Sequence, residues 1–405
     1  MHSRVTRATG VGALVGVLSL VAACGGGGSA APTSPSRTTP AATPSNSAEP
    51  APATPAPVPL RAGERFKTLT LARPYRPAAP HGGTDDYRCF LVDPKLTSPG
   101  FLVGSQFLPQ NAGIVHHAIL FRVPVGEVPA AKRLDAGQSG DGWTCFSGTG
   151  IGGPEAQLRT AGSAPWLAAW APGVGENLTP SGTGVRVEAG TRIVLQIHYN
   201  LLATNGASTG TDQSSVRLRF APASADLKPL LTSLNVAPVE LPCPAGEAGM
   251  LCDRQLSIID TMRRFGAQAG QVVAGLSLLC NRDGVPKPGN TQFCDRTVSQ
   301  PMVIRAAAGH MHLLGRSIKV EINPGTSTAR TVLNVPVYDF DNQGAQLLPK
   351  PVSLDRGDVI RVTCAHDATL RTRLPELKPL KPRYVVWGEG TSDEMCLGVL
   401  LWTKS

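Results

Sequence analysis

The sequence predicts an all-β fold built from antiparallel sandwiches, and its composition gives the first reason. The 405 residues include 44 Gly and 36 Pro, which helix and strand interiors disfavour, so a helical bundle or coiled coil is excluded. An apolar fraction of 41% against 17% charged residues is enough to bury a core, which excludes a wholly disordered chain. The net charge of +9 is not gathered into basic blocks, so no nucleic-acid partner is expected.

Short β-rich segments are the second reason. Eight segments alternate in polarity or are rich in β-branched residues, and Gly, Pro, Asn or Asp bound them, as is typical of strands. They are residues 113–123, 184–188, 191–201, 215–220, 318–322, 331–337, 358–364 and 396–402. Because these strands do not alternate with helices, they indicate antiparallel sandwiches rather than a parallel α/β sheet.

One segment, residues 254–265, predicts an amphipathic helix. Apolar side chains recur there at every third position, and Gly266 can end the helix. The apolar stripe consists of Leu256, Ile259, Met262 and Phe265. An amphipathic helix buries such a stripe against the core.

The first sixty residues are predicted to lie outside the fold. Residues 1–23 are typical of a secretory signal, with Arg4 and Arg7 before an apolar run too short to span a bilayer comfortably. The small residues before Cys24 resemble the lipobox of bacterial lipoproteins, in which that cysteine would be lipidated. An ordinary secretory signal with an incidental cysteine is the alternative. Lipidation predicts attachment to the extracytoplasmic face of the cell membrane, through the lipid anchor only.

The rest of the chain divides into a tether and about two domains. Residues 24–60 are rich in Pro, Ala, Ser and Thr and carry few charges, so they are predicted to be a disordered tether. The remaining length suits about two domains. Between Pro222 and Pro238 the sequence changes from a strand-like pattern to a Pro/Ala-rich connection. This change predicts an N-terminal domain at 61–232 and a C-terminal domain at 233–405.

Eight cysteines remain beyond Cys24. They are Cys89, Cys145, Cys243, Cys252, Cys280, Cys294, Cys364 and Cys396. An even number in an exported chain predicts up to four disulfides. A thiolate metal site is the alternative, but it would need close spacing and no CxxC occurs. Sequence proximity alone suggests Cys243 with Cys252 and Cys280 with Cys294.

Histidines within strand-like segments are the first candidates for chemistry. Adjacent side chains of a regular strand point to opposite faces. His116 and His117 could therefore share one metal only where the strand ends, twists or bulges, or where the rings use different nitrogens. A core histidine beside a surface histidine is the alternative. His198 shares a strand face with Gln196, which indicates either a functional site or an internal hydrogen bond.

His310 and His312 form a stronger pattern, because residues i and i+2 of a strand lie on the same face. Their imidazoles are predicted to lie side by side, and the glycines at 309 and 315 allow close approach of the backbone. Met395 is a candidate third ligand, since a thioether suits Cu(I) and is a poor ligand for zinc or magnesium. Spacing alone does not distinguish Met395 from a core methionine.

Together these segments resemble one known family, the copper type II, ascorbate-dependent monooxygenases, which include peptidylglycine alpha-hydroxylating monooxygenase and dopamine beta-monooxygenase. The resemblance covers most of residues 84–402 and rests on six short motifs in the family's order and approximate spacing. The motifs are Asp86-Tyr-Arg-Cys89, His116-His117, Leu195-Gln-Ile-His-Tyr199, His310-Met-His-Leu-Leu-Gly315, Tyr338-Asp-Phe-Asp-Asn-Gln343 and Asp393-Glu-Met-Cys396.

The resemblance implies two copper ions, one in each of two tandem jelly-roll-like β-sandwich domains, facing each other across an open cleft. It assigns the first copper, which stores and passes an electron, to His116, His117 and His198. It assigns the second, which binds dioxygen and abstracts hydrogen from a substrate C–H bond, to the catalytic ligands His310, His312 and Met395. Ascorbate or another one-electron donor reduces both coppers.

The resemblance also implies two disulfides and a departure at the substrate site. It pairs Cys89 with Cys145, and Cys364 with Cys396. Peptide-hydroxylating members hold the substrate carboxylate with an Arg and an Asn at positions that are Ala308 and Leu397 here. A peptide C-terminus is therefore not expected as the substrate, and the site is predicted to be more apolar.

Three functional hypotheses follow. The first is a tethered, monomeric copper monooxygenase acting on a small molecule with dioxygen. The second is a non-catalytic cell-surface protein that binds copper for buffering or delivery, and the third is a structural surface β-sandwich with incidental histidines. Outside the motifs, His81 and His366 are predicted to be solvated or weakly structural, and residues 371–383 to form a solvated loop.

Overall fold

The computed structural model describes residues 55–146, 148–153 and 164–405. The predicted signal peptide, Cys24 and most of the predicted tether lie outside these residues. The described residues all belong to one compact unit, and antiparallel sheets dominate it. The predicted all-β class is therefore confirmed.

Two sheets are formed by strands from the first part of the chain. A six-stranded sheet has the order β1-β10-β3-β8-β11 with β7 paired to β3, and a five-stranded sheet has the order β5-β2-β9-β4-β6. Their apolar inner faces pack on each other through one core cluster. The strands are β1 (Arg65–Thr70), β2 (Asp85–Val92), β3 (Gly100–Leu108), β4 (Val115–Val123), β5 (Trp143–Thr144), β6 (Trp166–Trp170), β7 (Asn177–Leu178), β8 (Thr183–Val187), β9 (Arg192–Asn200), β10 (Ser215–Pro222) and β11 (Lys228–Pro229).

Three further sheets are formed by strands from the second part of the chain. Their orders are β12-β21-β15-β18, β14-β19-β16-β17 and β13-β20, and the two four-stranded sheets enclose the largest core cluster. The strands are β12 (Leu231–Val236), β13 (Glu240–Leu241), β14 (Thr291–Thr297), β15 (Met302–His310), β16 (Gly315–Ile322), β17 (Arg330–Val335), β18 (Gln346–Leu354), β19 (Val359–His366), β20 (Val385–Val386) and β21 (Leu397–Lys404). The described helices are α1 (Val128–Ala136), α2 (Arg254–Phe265), α3 (Ala267–Cys280) and α4 (Leu370–Arg373).

All eight predicted strands are present, with ends shifted by a few residues. No sheet mixes strands from the two parts of the chain. The strands of the first two sheets end at residue 229, and the strands of the other three sheets begin at residue 231. The domain boundary between 232 and 233 stays a prediction, because the described residues form one compact unit.

The predicted helix at 254–265 is confirmed as α2, but only Met262 and Phe265 of its predicted apolar stripe face the core. Leu256 and Ile259 are 42% and 51% exposed, whereas Ser257 is buried and donates to the Tyr384 carbonyl at 2.6 Å. Arg264 is also buried, because it pairs with a carboxylate of the protein interior. Polar contacts therefore set the orientation of this helix together with the second half of the apolar stripe. Helix α3, which follows directly, was not predicted.

Residues 55–60 were predicted to belong to the tether, but the structure places them on the folded body. The guanidinium of Arg219 donates to the carbonyls of Val58 and Pro59, and the Gln106 amide donates to the Pro55 carbonyl at 2.8 Å. A Pro-rich segment has few N–H donors but keeps its carbonyls. Side-chain donors of the folded body can therefore bind these carbonyls.

Candidate metal centre

The first candidate site contains His116, His117 and His198, which we call the three-histidine group. The pairing of β4 with β9 shifts register between Val115 and His117, so His116 is the extra residue of a bulge. A bulge re-aims a side chain, which removes the obstacle that a regular strand would pose to adjacent ligands. His117 pairs directly with His198 across the two strands. One ligand nitrogen from each of the three residues lies within 4.8 Å of the others.

Several nitrogens of this group have no hydrogen-bond partner among the described residues. Both ring nitrogens of His116 and Nδ1 of His198 are buried and unpaired. Nε2 of His198 contacts Asp85 Oδ1 at 2.9 Å, which leaves Nδ1 as the free ligand atom. Buried polar atoms are rarely left unpaired, so these nitrogens suit a metal ion. Gln196, on the same strand face, makes an internal hydrogen bond, because its amide donates to the Cys145 carbonyl at 3.0 Å.

Burial keeps these histidines neutral. It lowers the pKa of His116 well below its ordinary value, and the neighbouring His198 and His310 lower it further. Burial also lowers the pKa of His198, although Asp85 opposes this shift. A neutral imidazole is the form that binds a metal. The three-histidine group is therefore ready to bind a metal at neutral pH without first releasing protons.

Asp85, at the start of β2, connects this group to the loop before β21. Its Oδ1 accepts from His198 and also from the backbone N–H and the hydroxyl of Thr391, at 2.9 and 2.6 Å. Burial opposes ionisation of Asp85, but the hydrogen bonds from His198 and Thr391 hold its pKa below the ordinary value. The ring of Tyr87 stacks on His198 with centroids 4.1 Å apart. Asp85 and Tyr87 together fix the ring orientation of this ligand.

The second candidate site contains His310, His312 and Met395, which we call the methionine group. The imidazoles of the two histidines are neighbours, with centroids 5.2 Å apart, but they do not share a strand face as predicted. Strand β15 ends at His310, and His312 lies in the following turn, where its carbonyl accepts from Gly315 N. Gly309 is required here, because a Cβ at this position would lie 2.5 Å from Ile318.

The ligand atoms of the two histidines are selected by their other contacts. Gln343 Oε1 lies 2.6 Å from Nδ1 of His310, which leaves Nε2 for a metal. Nδ1 of His312 contacts the Asp393 carbonyl at 3.3 Å, and its Nε2 is buried with no partner among the described residues. Burial and the neighbouring His312 lower the pKa of His310 to about 3. His310 thus presents a neutral nitrogen.

Glu394 anchors the turn that carries His312. Its carboxylate accepts from the backbone N–H groups of His312, Leu314 and Met395 at 3.0, 2.6 and 3.0 Å. His366 Nε2 lies 3.4 Å from the same carboxylate. His366 was predicted to be solvated or weakly structural, and it has a structural position, since it ends β19 and is only 3% exposed. The carboxylate of Glu394 supplies the acceptors that a turn lacks, and so holds the methionine group together.

Asp393 ties the same loop to helix α2. Arg264 donates to both of its carboxylate oxygens, at 2.8 and 2.6 Å, and Arg383 donates at 3.1 Å. Both arginines also pair with Asp260 of α2. Residues 371–383 were predicted to form a solvated loop, yet Arg383 and Arg371 are buried. Most of the segment is exposed, so the prediction fails mainly at these two ends. An arginine can be buried where carboxylates and carbonyls accept its hydrogen bonds.

The eight cysteines form four disulfides. They are Cys89–Cys145, Cys243–Cys252, Cys280–Cys294 and Cys364–Cys396, which are the pairings that the sequence suggested. Cys364–Cys396 joins β19 to the residue that follows Met395. Met395 itself is 7% exposed and lines the same cavity as His310.

The two groups lie close together rather than across the open cleft that the resemblance implied. The rings of His117 and His310 are in edge contact, with centroids 5.6 Å apart. Phe340 stacks on His116 at 4.2 Å, and Gln343 of the same segment contacts His310. A cavity of about 600 Å³ adjoins both groups, and His117, His310 and Met395 are among its lining residues.

The donor sets suit copper. Three imidazoles can bind both oxidation states, and two imidazoles with a thioether favour Cu(I). A bound copper ion would give a partner to the buried, unpaired nitrogens of His116, His198 and His312. Each group also has carboxylate or carbonyl contacts that fix its rings. The residues present therefore fit two copper ions.

Sequence reasoning gave no role to several residues that position the ligands. Gln343, Asp393 and Glu394 stand inside the motifs that carried the resemblance, and Asp85 stands directly before one of them. Their position beside the ligands was the available signal. Their partners, such as Arg264 at 129 residues from Asp393, are too distant in sequence for any local pattern to reveal.

Comparison with known proteins gives a family for one part of the chain. No curated protein matches the sequence. Among solved structures, VP54 of PBCV-1, fitted into a reconstruction of the virophage Sputnik, is 10% identical over 86% of this chain and 95% of that one, with a TM-score of 0.26. The coconut allergen cocosin is 9% identical over 84% and 86% of the two chains, with a TM-score of 0.14. Such low TM-scores carry no argument.

The family comparison is specific to the C-terminal part. Residues 289–404 match the family described as "Copper type II ascorbate-dependent monooxygenase, C-terminal domain". This stretch runs from β14 to β21 and contains the whole methionine group. The match supports the family that the motifs predicted. Residues 289–404 are thus similar to the C-terminal domain of the copper type II ascorbate-dependent monooxygenases.

Proposed function

We propose that the protein is a copper- and dioxygen-dependent monooxygenase that hydroxylates a C–H bond of a small organic molecule. Ascorbate or another one-electron donor would act as the reductant. The observation that carries this proposal is that His116, His117 and His198 meet as a possible metal site, beside a cavity that His117, His310 and Met395 line. The family of residues 289–404 supports copper and ascorbate dependence.

The residues of the chain would divide the work between the two groups. The three-histidine group would hold one copper and the methionine group the other, and the bound metals would supply electron storage and dioxygen activation. One oxygen atom enters the C–H bond and the other leaves as water, which consumes two electrons from the donor and two protons. Asp85, Gln343 and Glu394 orient the ligands through the hydrogen bonds described above.

Copper analysis with oxygen measurements tests this proposal. The purified protein should hold about two coppers per chain and consume oxygen with ascorbate when a suitable substrate is present. His81→Ala, at an exposed histidine outside both groups, is the control and should retain both metals. Retention of zinc in place of copper, or a single copper, would contradict the two-site assignment. Two coppers without turnover on any substrate of a broad panel would favour the buffering or delivery protein instead.

We also propose that the protein is anchored by a lipid on Cys24 at the extracytoplasmic face of the membrane. The lipobox-like residues before Cys24 support this proposal, and none of the helices in the described residues is long and apolar enough to cross a bilayer. Cys24→Ala should release the protein from the membrane fraction or block its processing. A variant that stays lipid-modified and membrane-bound would disprove the anchor.

A further inference from the structure

The cavity beside the two ligand groups has one wall built entirely by the sheet β12-β21-β15. Side chains at alternate positions of a strand share a face, and the register aligns these positions across the three strands. The row nearest the metal ligands contains Val236, Leu397 and His310. The next row contains Leu234, Val399 and Ala308. Apart from His310, the two rows consist of aliphatic side chains.

Ala308 and Val399 are open to the cavity, whereas Leu397 lines it but is largely buried. Ala308 and Val399 are partly exposed and line the cavity, whereas Ala307 and Leu400 on the other face are fully buried. A third row continues with Leu401 and Thr232. At about 3.3 Å per residue, the three rows extend for roughly 13 Å from the ligand end.

Aromatic and aliphatic side chains face this wall. Ile119 and Phe121 continue the face of β4 that carries His117, and Trp166 of β6 lies beside Phe121 with ring centroids 6.3 Å apart. Trp166 packs against the core clusters of both parts of the chain. Both walls of the cavity are thus apolar from the ligand end outward.

Charged groups in the lining are few, and two of the three have partners within the chain. Among the described lining residues, Arg122, Glu127 and Glu389 carry a formal charge. Arg122 donates to the Arg186 carbonyl at 3.2 Å, and Glu389 is engaged in an interaction within the chain. Glu127 is exposed to solvent. None of these groups is set among the aliphatic rows beside His310.

We infer that this cavity binds an uncharged, mainly hydrocarbon molecule, with an alkyl or aryl chain along the wall of Ala308, Leu397 and Val399. The volume of about 600 Å³ is within the range of small-molecule sites. An ionised carboxylate or amine would lose its hydration against this wall and gain no partner there. The inference that this molecule is also the one hydroxylated rests on the proposed function. The substrate class would be a neutral alkyl or aryl compound.

Calorimetric titration of the copper-loaded protein with three matched ligands tests the inference. The probes are 4-phenyl-1-butanol, 4-phenylbutyrate and 4-phenylbutylamine, which share the apolar part and differ in charge. We expect the alcohol to bind at least about tenfold more tightly than either ion. Its binding should also change the tryptophan fluorescence, because Trp166 lines the cavity. Equal or tighter binding of the acid or the amine would overturn the inference.

Two substitutions of Ala308 locate the binding. Ala308→Arg should weaken alcohol binding by about tenfold or more and favour the acid over the alcohol. Leu347→Arg adds the same charge at a 61% exposed residue of the neighbouring strand β18 and should change neither affinity. Ala308→Leu, which adds volume without charge, should weaken the alcohol while the preference over the ions persists. Unchanged alcohol affinity in both Ala308 variants would overturn the inference.

Binding and turnover are measured separately, so the two proposals can fail separately. If the alcohol binds as expected and no oxygen-dependent product forms from any neutral alkyl or aryl compound, the proposed function fails and the assignment of the cavity stands. If the copper-loaded protein hydroxylates only ionic substrates, the proposed function stands and the inference is overturned.

Discussion

The three-histidine group and the methionine group are held by different kinds of backbone. His117 and His198 sit on neighbouring strands whose ladder fixes their separation, and one bulge brings His116 to them. His312 and Met395, in contrast, lie outside regular strands. They are positioned by Glu394, by Asp393 and by a disulfide. A sheet-borne group draws its geometry from many hydrogen bonds, whereas a loop-borne group depends on a few buried polar contacts.

Removal of one ligand from each group should have the largest effect and should separate the groups. Met395→Ile leaves two imidazoles, so it should retain much of the Cu(II), weaken Cu(I) binding and abolish oxygen-dependent hydroxylation. His198→Ala should disturb the three-histidine group and also abolish activity, because the second electron would not be supplied. X-ray absorption of the reduced proteins should show copper–sulfur scattering in His198→Ala and none in Met395→Ile.

The opposite pattern would reverse the assignment. If Met395→Ile keeps the sulfur signal while His198→Ala loses it, the ligands are wrongly divided between the two groups. Full activity in either variant would show that the affected group is not needed for turnover.

Loss of the buried ion pair that holds the loop of the methionine group should destabilise the protein more than loss of an exposed ion pair. Arg264→Ala removes the main partner of Asp393, whose side chain is 2% exposed, and should lower the free energy of unfolding by about 3 kcal/mol. Arg361→Ala breaks a similar two-point pair with Asp295, but those side chains are 30% and 42% exposed. It should cost less than about 1 kcal/mol. Urea unfolding would measure both, and equal costs would contradict the buried anchor.

Substitution of Asp85 should have a smaller effect, centred on the three-histidine group. Asp85→Asn keeps the shape but removes the charge that raises the basicity of His198, so Cu(II) affinity there should fall about 10- to 100-fold. Thr391→Val removes one hydrogen bond on the far side of Asp85 and should change the affinity less. Competition with a chelator would measure both variants. An unchanged affinity in Asp85→Asn would show that this carboxylate does not tune the ligand.

The last prediction concerns pH, because burial lowers the pKa of a histidine in each of the two groups. Burial and His312 lower the pKa of His310 from 6.5 to about 3, so between these values the unfolded chain binds a proton that the folded chain does not. The metal-free protein should therefore lose stability as the pH falls through this window, by at most about 1.4 kcal/mol per pH unit for this residue. Urea unfolding at several pH values with a chelator present would show a shallower slope for His310→Gln. An identical slope would contradict the lowered pKa.

The strands and one helix could be predicted from sequence because their signals are local. Periodicity located all eight predicted strands and the bounds of α2. It was only half right for the buried face of α2, because Ser257 and Arg264 are buried by contacts with Tyr384 and Asp393, more than a hundred residues away. Helix α3 was missed, because its sequence is apolar with no clear stripe and Gly266 separates it from α2.

The candidate ligands were within reach of sequence because residue type and spacing restrict metal chemistry. The histidine pairs indicated a metal, whereas the division into two groups and two of the disulfides were implied by the family resemblance of the motifs. The other two disulfides were suggested by sequence proximity. The proximity of the groups, the bulge at His116 and the turn at His312 were decided by tertiary structure, because each depends on which strands meet. The same holds for the aliphatic wall around Ala308. Its three strands come from distant parts of the chain, and only their register aligns the side chains on one face.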